Sequence, residues 1–137
     1  MLDLDNTLWG GIVGEDGFDG IELGHSSNGK AFVEFQKHLL SLWQQGIILA
    51  INSKNNFDDA IKVIKEHPDM ILREKHFASI KINWNDKAQN LVDIGKEINI
   101  GLNSIVFFDD DKINQERIKE EFSEVLTIEL PNDPSQY

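Results

Sequence analysis

Two uninterrupted apolar runs constrain this chain more than any other feature. Ile47 to Ile51 reads Ile-Ile-Leu-Ala-Ile, and Ser104 to Phe108 reads Ser-Ile-Val-Phe-Phe. Neither alternates with polar residues, so each suits a strand covered on both faces, the pattern of a parallel sheet. Helical stripes separate them. Phe32, Phe35, Leu39, Leu42 and Trp43 recur at helical spacing between about Gly29 and Gln45, with Asn28 placed to cap the start and Gly46 to close the end. Phe57, Ala60, Ile61 and Ile64 form a second stripe that His67-Pro68 ends. Ala88, Leu91, Val92, Gly95 and Ile98 form a third, opened by Asn85 or Asp86 as cap. A weaker helix is expected from about Lys112 to Phe122, then an edge strand from Glu124 to Leu130. Met70, Ile71 and Leu72 predict a short third strand, and Ser79 to Ile82 a connecting segment of possible strand character. The pattern predicts an α/β fold, a doubly wound parallel sheet with right-handed crossovers, in a single domain over residues 1–137.

Polar residues gather where the apolar runs stop. Met1 and Leu2 lead into Asp3-Leu4-Asp5-Asn6-Thr7. Residues i and i+2 of an extended segment lie on one side, ~6.6 Å apart, so Asp3 and Asp5 can converge on one small object. A divalent metal with a phosphate fits hard oxygen ligands at a strand's carboxyl end. Solvated turn acids with a helix-capping Asp-Asn-Thr fit equally well. Only two apolar residues precede Asp3, so the first strand is expected to be cut short or the chain to be a fragment.

Ser53, after Ile51-Asn52, either donates to a phosphate oxygen or, with Asn55, caps the next helix. Arg73 either reaches a substrate anion or pairs with Glu74, the latter being the plainer reading. Lys87 falls in the first turn of a helix, where a cation opposes the dipole by ~0.3–1 kcal/mol, and this misfit calls for a local anionic partner. An exposed lysine reaching into water is the alternative. Asp109-Asp110-Asp111 either cap the following helix or complete a metal site with Asp3. Residues Leu8 to Gly24 carry six glycines and predict a small β-hairpin flap with a turn at Glu15-Asp16-Gly17. Trp9 either walls the pocket or, more simply, fills the core.

Composition narrows the function classes. The net charge is −11 and there is no cysteine. The first disfavours nucleic acid and anionic membranes, which demand clustered Lys and Arg. The second excludes disulfides, zinc-thiolate sites and thiol nucleophiles within these residues. No apolar run approaches the ~20 residues of a membrane span. No signal peptide is read before the first motif, and a cytoplasmic location is expected.

Asp3-x-Asp5-Asn-Thr, Ser53, Lys87 and Asp109-Asp110 follow one another in chain order at strand ends or a helix start. This order resembles the haloacid dehalogenase (HAD) superfamily. The runs Asp5-Asn-Thr-Leu-Trp-Gly-Gly-Ile-Val-Gly-Glu-Asp-Gly and Asn52-Ser-Lys-Asn-Asn, His67-Pro to His76-Phe-Ala, and Asn83-Trp resemble its subfamily IIIC, the FkbH-like branch. The resemblance implies a Rossmann-like, HAD-like fold with no large cap, and a Mg²⁺-dependent phosphatase. Asp3 would be the nucleophile and a metal ligand. Asp5 would be the general acid and base, with its main-chain carbonyl on the metal. Ser53, Lys87 and Asn6 would hold phosphoryl oxygens, and Asp109 would bind the metal, with Asp110 acting through water. Asp110, Asn55, Trp9 and Arg73 are further candidates to support the site or touch substrate. The alternative is a transferase that loads a glyceryl-type unit from a phosphorylated donor onto an acyl carrier protein. That route uses a cysteine thioester, for which these residues supply no thiol.

Overall fold

A computed structural model describes residues 1–131 and 133–137. The run at Ile47 enters strand β1, Leu49–Lys54, but Ile47 and Ile48 precede the strand and stay exposed; the run at Ser104 becomes β3, Val106–Asp109. β1 pairs in parallel with β2, Phe77–Asn83, and β3 pairs in parallel with β4, Leu126–Glu129. Leu2 joins the two pairs, making parallel bridges to Ile51 on one side and Phe108 on the other. Its N–H donates to the Ala50 carbonyl, and its carbonyl accepts from Asn52 N–H. The N-terminal segment therefore lies centrally, and the spatial order is β2, β1, N-terminal segment, β3, β4. Phe107 and Phe108 point to opposite sides of β3, as neighbours on a strand must. One belongs to a core cluster with Leu91 and Ile118, the other packs on a cluster with Leu2, Phe35 and Leu39. The two clusters thus occupy the two faces of the sheet.

Helices connect the strands: α1 (Val13–Asp16), α2 (Ser27–Gln44), α3 (Phe57–Glu66), α4 (Lys87–Glu97) and α5 (Lys112–Glu121). The cap of α2 is Ser26, not Asn28, because Ser26 is extended and its hydroxyl accepts from Gly29 N–H at 3.1 Å. Asp86 caps α4 and Asp111 caps α5. Among the described residues no helix is long and apolar enough to cross a membrane.

Two expected strand segments do not form. Residues 8–24 do not form a hairpin of paired strands; one antiparallel bridge, Gly10 to Glu22, closes them around the helical turn α1. Acids decide this locally. Asp16 accepts from Ile12 N–H at 2.9 Å and Asp5 from Val13 N–H at 3.1 Å, which satisfies amides that a helix start leaves open. Met70 to Leu72 are not a strand either. Ile71 and Leu72 donate their N–H groups to one buried oxygen, Oε1 of Gln36, at 2.9 and 3.0 Å. The strand that follows α3 is β2, in the segment expected to be a connection.

Candidate functional site

The carboxyl ends of the central segment and β3 meet at one edge of the sheet. The chain reverses its direction of strand addition there, and open α/β sheets bind ligands at that crevice. Asp3 N–H donates to the Phe108 carbonyl at 3.1 Å, which sets Asp3 beside Asp109, the last residue of β3. Carboxylate oxygens of Asp3, Asp109 and Asp110 all lie within 4.8 Å of one another.

Lys87 stands among them. Its Nζ is 2.5 Å from Asp109 Oδ2 and 3.3 Å from Asp3 Oδ2, and the residue is 3% exposed. The cation in the first turn of α4 therefore has anionic partners. Burial works against its charge, but Asp3 and Asp109 outweigh burial and hold the amine above its usual value. Burial and the neighbouring Asp3 push the Asp109 carboxyl up, against the opposing pull of Lys87. Asp110 is pushed up to about 7 by burial and by Asp3 and Asp109. One buried amine leaves this cluster short of positive charge.

Two sets of amides hold the pieces in place. Asn52 on β1 donates to the Lys87 carbonyl at 2.9 Å, while Asn90 on α4 donates to Asn52 Oδ1 at 3.2 Å and to Asn83 Oδ1 at 2.9 Å. This ladder ties the start of α4 to β1 and β2. Asp86, which caps α4, is gripped at two points by Arg117 of α5. On the other side, Gln115 donates to the Asp109 carbonyl at 2.6 Å, and Asn114 to its carboxylate at 3.3 Å. The sequence singles out Asn52 and Asn83 only within the runs Asn52-Ser-Lys-Asn-Asn and Asn83-Trp, and it assigns nothing to Asn90, Asn114 or Gln115. Asn90 does carry a signal: it sits beside Leu91 on the buried face of α4, where a lone amide needs a partner.

Asp5 stands apart from the three-acid cluster. Its Oδ1 accepts from the Trp9 indole at 3.0 Å and from Val13 N–H, and its Oδ2 accepts from Asn55 at 2.9 Å. Burial raises its pKa; the three hydrogen bonds oppose this and the charge of Asp3 adds to it. Trp9 is thus a core residue with one polar tie to the site. Asn6 adopts a left-handed conformation at φ 58°; its side-chain oxygen accepts from Gly11 N–H and its carbonyl from the Tyr137 hydroxyl. Ser53 is buried near the carboxyl end of β1. Arg73 is not brought to the site. Its guanidinium donates to the Ile64 carbonyl at 3.1 Å near the end of α3, and Glu74 pairs with Lys65.

Asp3, Asp5, Asn6, Asn55, Lys87 and Asp110 line a cleft of about 660 Å³. A larger hollow of about 870 Å³ beside α2 and Tyr137 includes none of them. The cleft is an open, acidic, oxygen-rich site with one buried amine, a donor set suited to a hard divalent cation and an anion bound together.

A scan against protein-family models finds no match, and a search of the curated proteins finds none. Among solved structures, the chain is similar to the N-terminal part of the protein BF1531 from Bacteroides fragilis, which contains a phosphatase domain and is complexed with Mg. The identity is 43% and the TM-score 0.95, over 98% of this chain and 36% of that one. The chain thus spans about a third of the length of that solved chain and shares its α/β fold with parallel strands.

Proposed function

We propose that this chain is a Mg²⁺-dependent phosphohydrolase of the HAD type, a single doubly wound, Rossmann-like catalytic domain acting on a phosphate monoester through a phosphoaspartate. The observation that carries this reading is Lys87 held between Asp3 and Asp109, with Asp110 beside them. The similarity to a phosphatase domain complexed with Mg supports it. Asp3, Asp109 and Asp110 would hold the metal, and the main-chain carbonyl of Asp5 would join them. The fit rests on the donor set: three hard carboxylates crowded enough to push Asp110 up to about 7 are short of a cation. When bound, Mg²⁺ supplies charge neutralisation at the transferring phosphoryl group.

The residues divide the chemistry. An oxygen of Asp3 attacks phosphorus as the ester P–O bond breaks, and Asp5 gives its proton to the departing alkoxide. Burial keeps the Asp5 carboxyl more protonated than an ordinary aspartate, which suits an acid. Asp5 then takes a proton from water; that water attacks phosphorus, the bond to Asp3 breaks, and phosphate leaves. Lys87, Ser53 and Asn6 are assigned to the phosphoryl oxygens. Lys87 also offsets repulsion between Asp3 and the incoming anion. Asn55 orients Asp5 through its 2.9 Å hydrogen bond. A cytoplasmic setting and the FkbH-like assignment belong to this reading. Transfer of a glyceryl-type unit to an acyl carrier protein is supported by sequence resemblance alone.

The test is Asp3→Asn with an aryl phosphate and Mg²⁺. Turnover should fall by about three orders of magnitude or more, and acid-quenched wild type should carry a phosphoryl group on Asp3 by mass spectrometry. Unchanged turnover in the variant overturns the assignment.

A further inference from the structure

Among the described residues eight large apolar side chains are exposed, and three of them face the cleft that holds the acids. Ile12 precedes α1, Trp84 lies between β2 and α4, and Ile113 is in the first turn of α5. They are 39%, 67% and 79% exposed, and all three line the cleft that holds Asp3 and Lys87. Trp84 is not a loose side chain. Its indole N–H donates to Asn56 Oδ1 at 3.1 Å, and Asn56 in turn donates to Asp59 at 3.2 Å. The polar edge of the ring is therefore engaged. What the ring offers a ligand is its flat apolar surface, held in place before anything binds.

Charge on the same walls limits what can sit there. Asp3, Asp5, Glu15, Asp110 and Asp111 face the cleft. Lys87 is buried and already paired, which leaves Lys54 as the other cation among the described lining residues. With a cation on Asp3 and Asp110, Glu15 and Asp111 still outnumber Lys54 on these walls, so a second phosphate or carboxylate on the leaving group would meet more acid than base. An uncharged apolar group would cover Trp84 and its neighbours and remove them from water.

We infer that Trp84, with Ile12 and Ile113, selects phosphate monoesters whose alcohol carries a flat, uncharged apolar group close to the ester and no second anionic group. This inference rests on the phosphohydrolase reading. Trp84 acts as a specificity determinant that touches the leaving group.

The test compares phenyl phosphate, glycerol 3-phosphate and a sugar bisphosphate as substrates with Mg²⁺. Wild type should prefer phenyl phosphate in kcat/KM. Trp84→Ala should lower the phenyl-to-glyceryl ratio roughly tenfold, through KM, the size expected for losing one aromatic contact. Trp84→Phe should keep most of the ratio, and Leu126→Ala, which removes exposed apolar surface outside the cleft, should keep all of it. Calorimetry on the Asp3→Asn protein measures the same preference as binding, with no turnover needed. A ratio near one in wild type, or one unchanged in Trp84→Ala, overturns the inference. Binding preference without hydrolysis of any ester overturns the phosphohydrolase reading instead.

Discussion

Replacing Lys87 by methionine removes the buried amine that opposes three crowded carboxylates. The side chains involved are nearly dry: 4% exposed for Lys87, 0% for Asp109 and 11% for Asp3. Removing one partner of a buried ion pair costs about 3–5 kcal/mol, because the other charge stays buried without compensation. Here two carboxylates lose one amine, which argues for the upper end. Relief comes from two sources. Water reaches Asp3 from the cleft, and Asp109, whose pKa already lies above the ordinary value, can take up a proton at about 1.4 kcal/mol per pH unit. The net expectation for Lys87→Met is therefore a loss of about 3 kcal/mol at neutral pH without metal. Urea denaturation in a chelating buffer measures it. The loss should shrink toward acid pH, where the carboxyls protonate. It should also shrink with saturating Mg²⁺, since the variant site is more negative and binds the cation more tightly, and each tenfold gain in affinity returns about 1.4 kcal/mol. A metal-free loss under about 1 kcal/mol would show that the amine does not hold these acids together.

Three further outcomes follow from the same geometry. Asn90→Ala strips Asn52 Oδ1 of its donor inside the protein and should cost about 1–3 kcal/mol in chemical denaturation. Asp110, pushed up to about 7 from 3.8, keeps in the folded metal-free protein a proton that the unfolded chain releases. Its contribution to stability is therefore largest at low pH and falls as pH rises from about 4 to about 7, so Asp110→Asn should flatten that part of a plot of melting temperature against pH in chelator. Gly20→Ala would place a Cβ 2.0 Å from the Asp16 carbonyl oxygen, a clash with backbone that cannot rotate away. It should lower the denaturation midpoint by an amount equivalent to about 1–3 kcal/mol.

The sequence by itself determined the elements whose signal is local. Leu49, Ala50 and Ile51 have no polar side to turn to water and form the buried start of β1, while Ile47 and Ile48 of the same run stay exposed before it; α2 to α5 announced themselves through their apolar stripes. Lys87 was legible for the same reason: a cation at a helix start is out of place unless an anion is near. Tertiary structure alone decided the rest, because partners distant in the chain carry no mark in either segment. Leu2 slots between Ile51 and Phe108, and that single register brings Asp3 to Asp109. Met70 to Leu72 are apolar enough for a strand, but a strand needs a neighbour's edge, and here one buried amide of Gln36 takes their N–H groups instead. Likewise the glycines of residues 8–24 allow a hairpin, and it is the side chains of Asp5 and Asp16, folded back onto Ile12 and Val13, that select a helical turn.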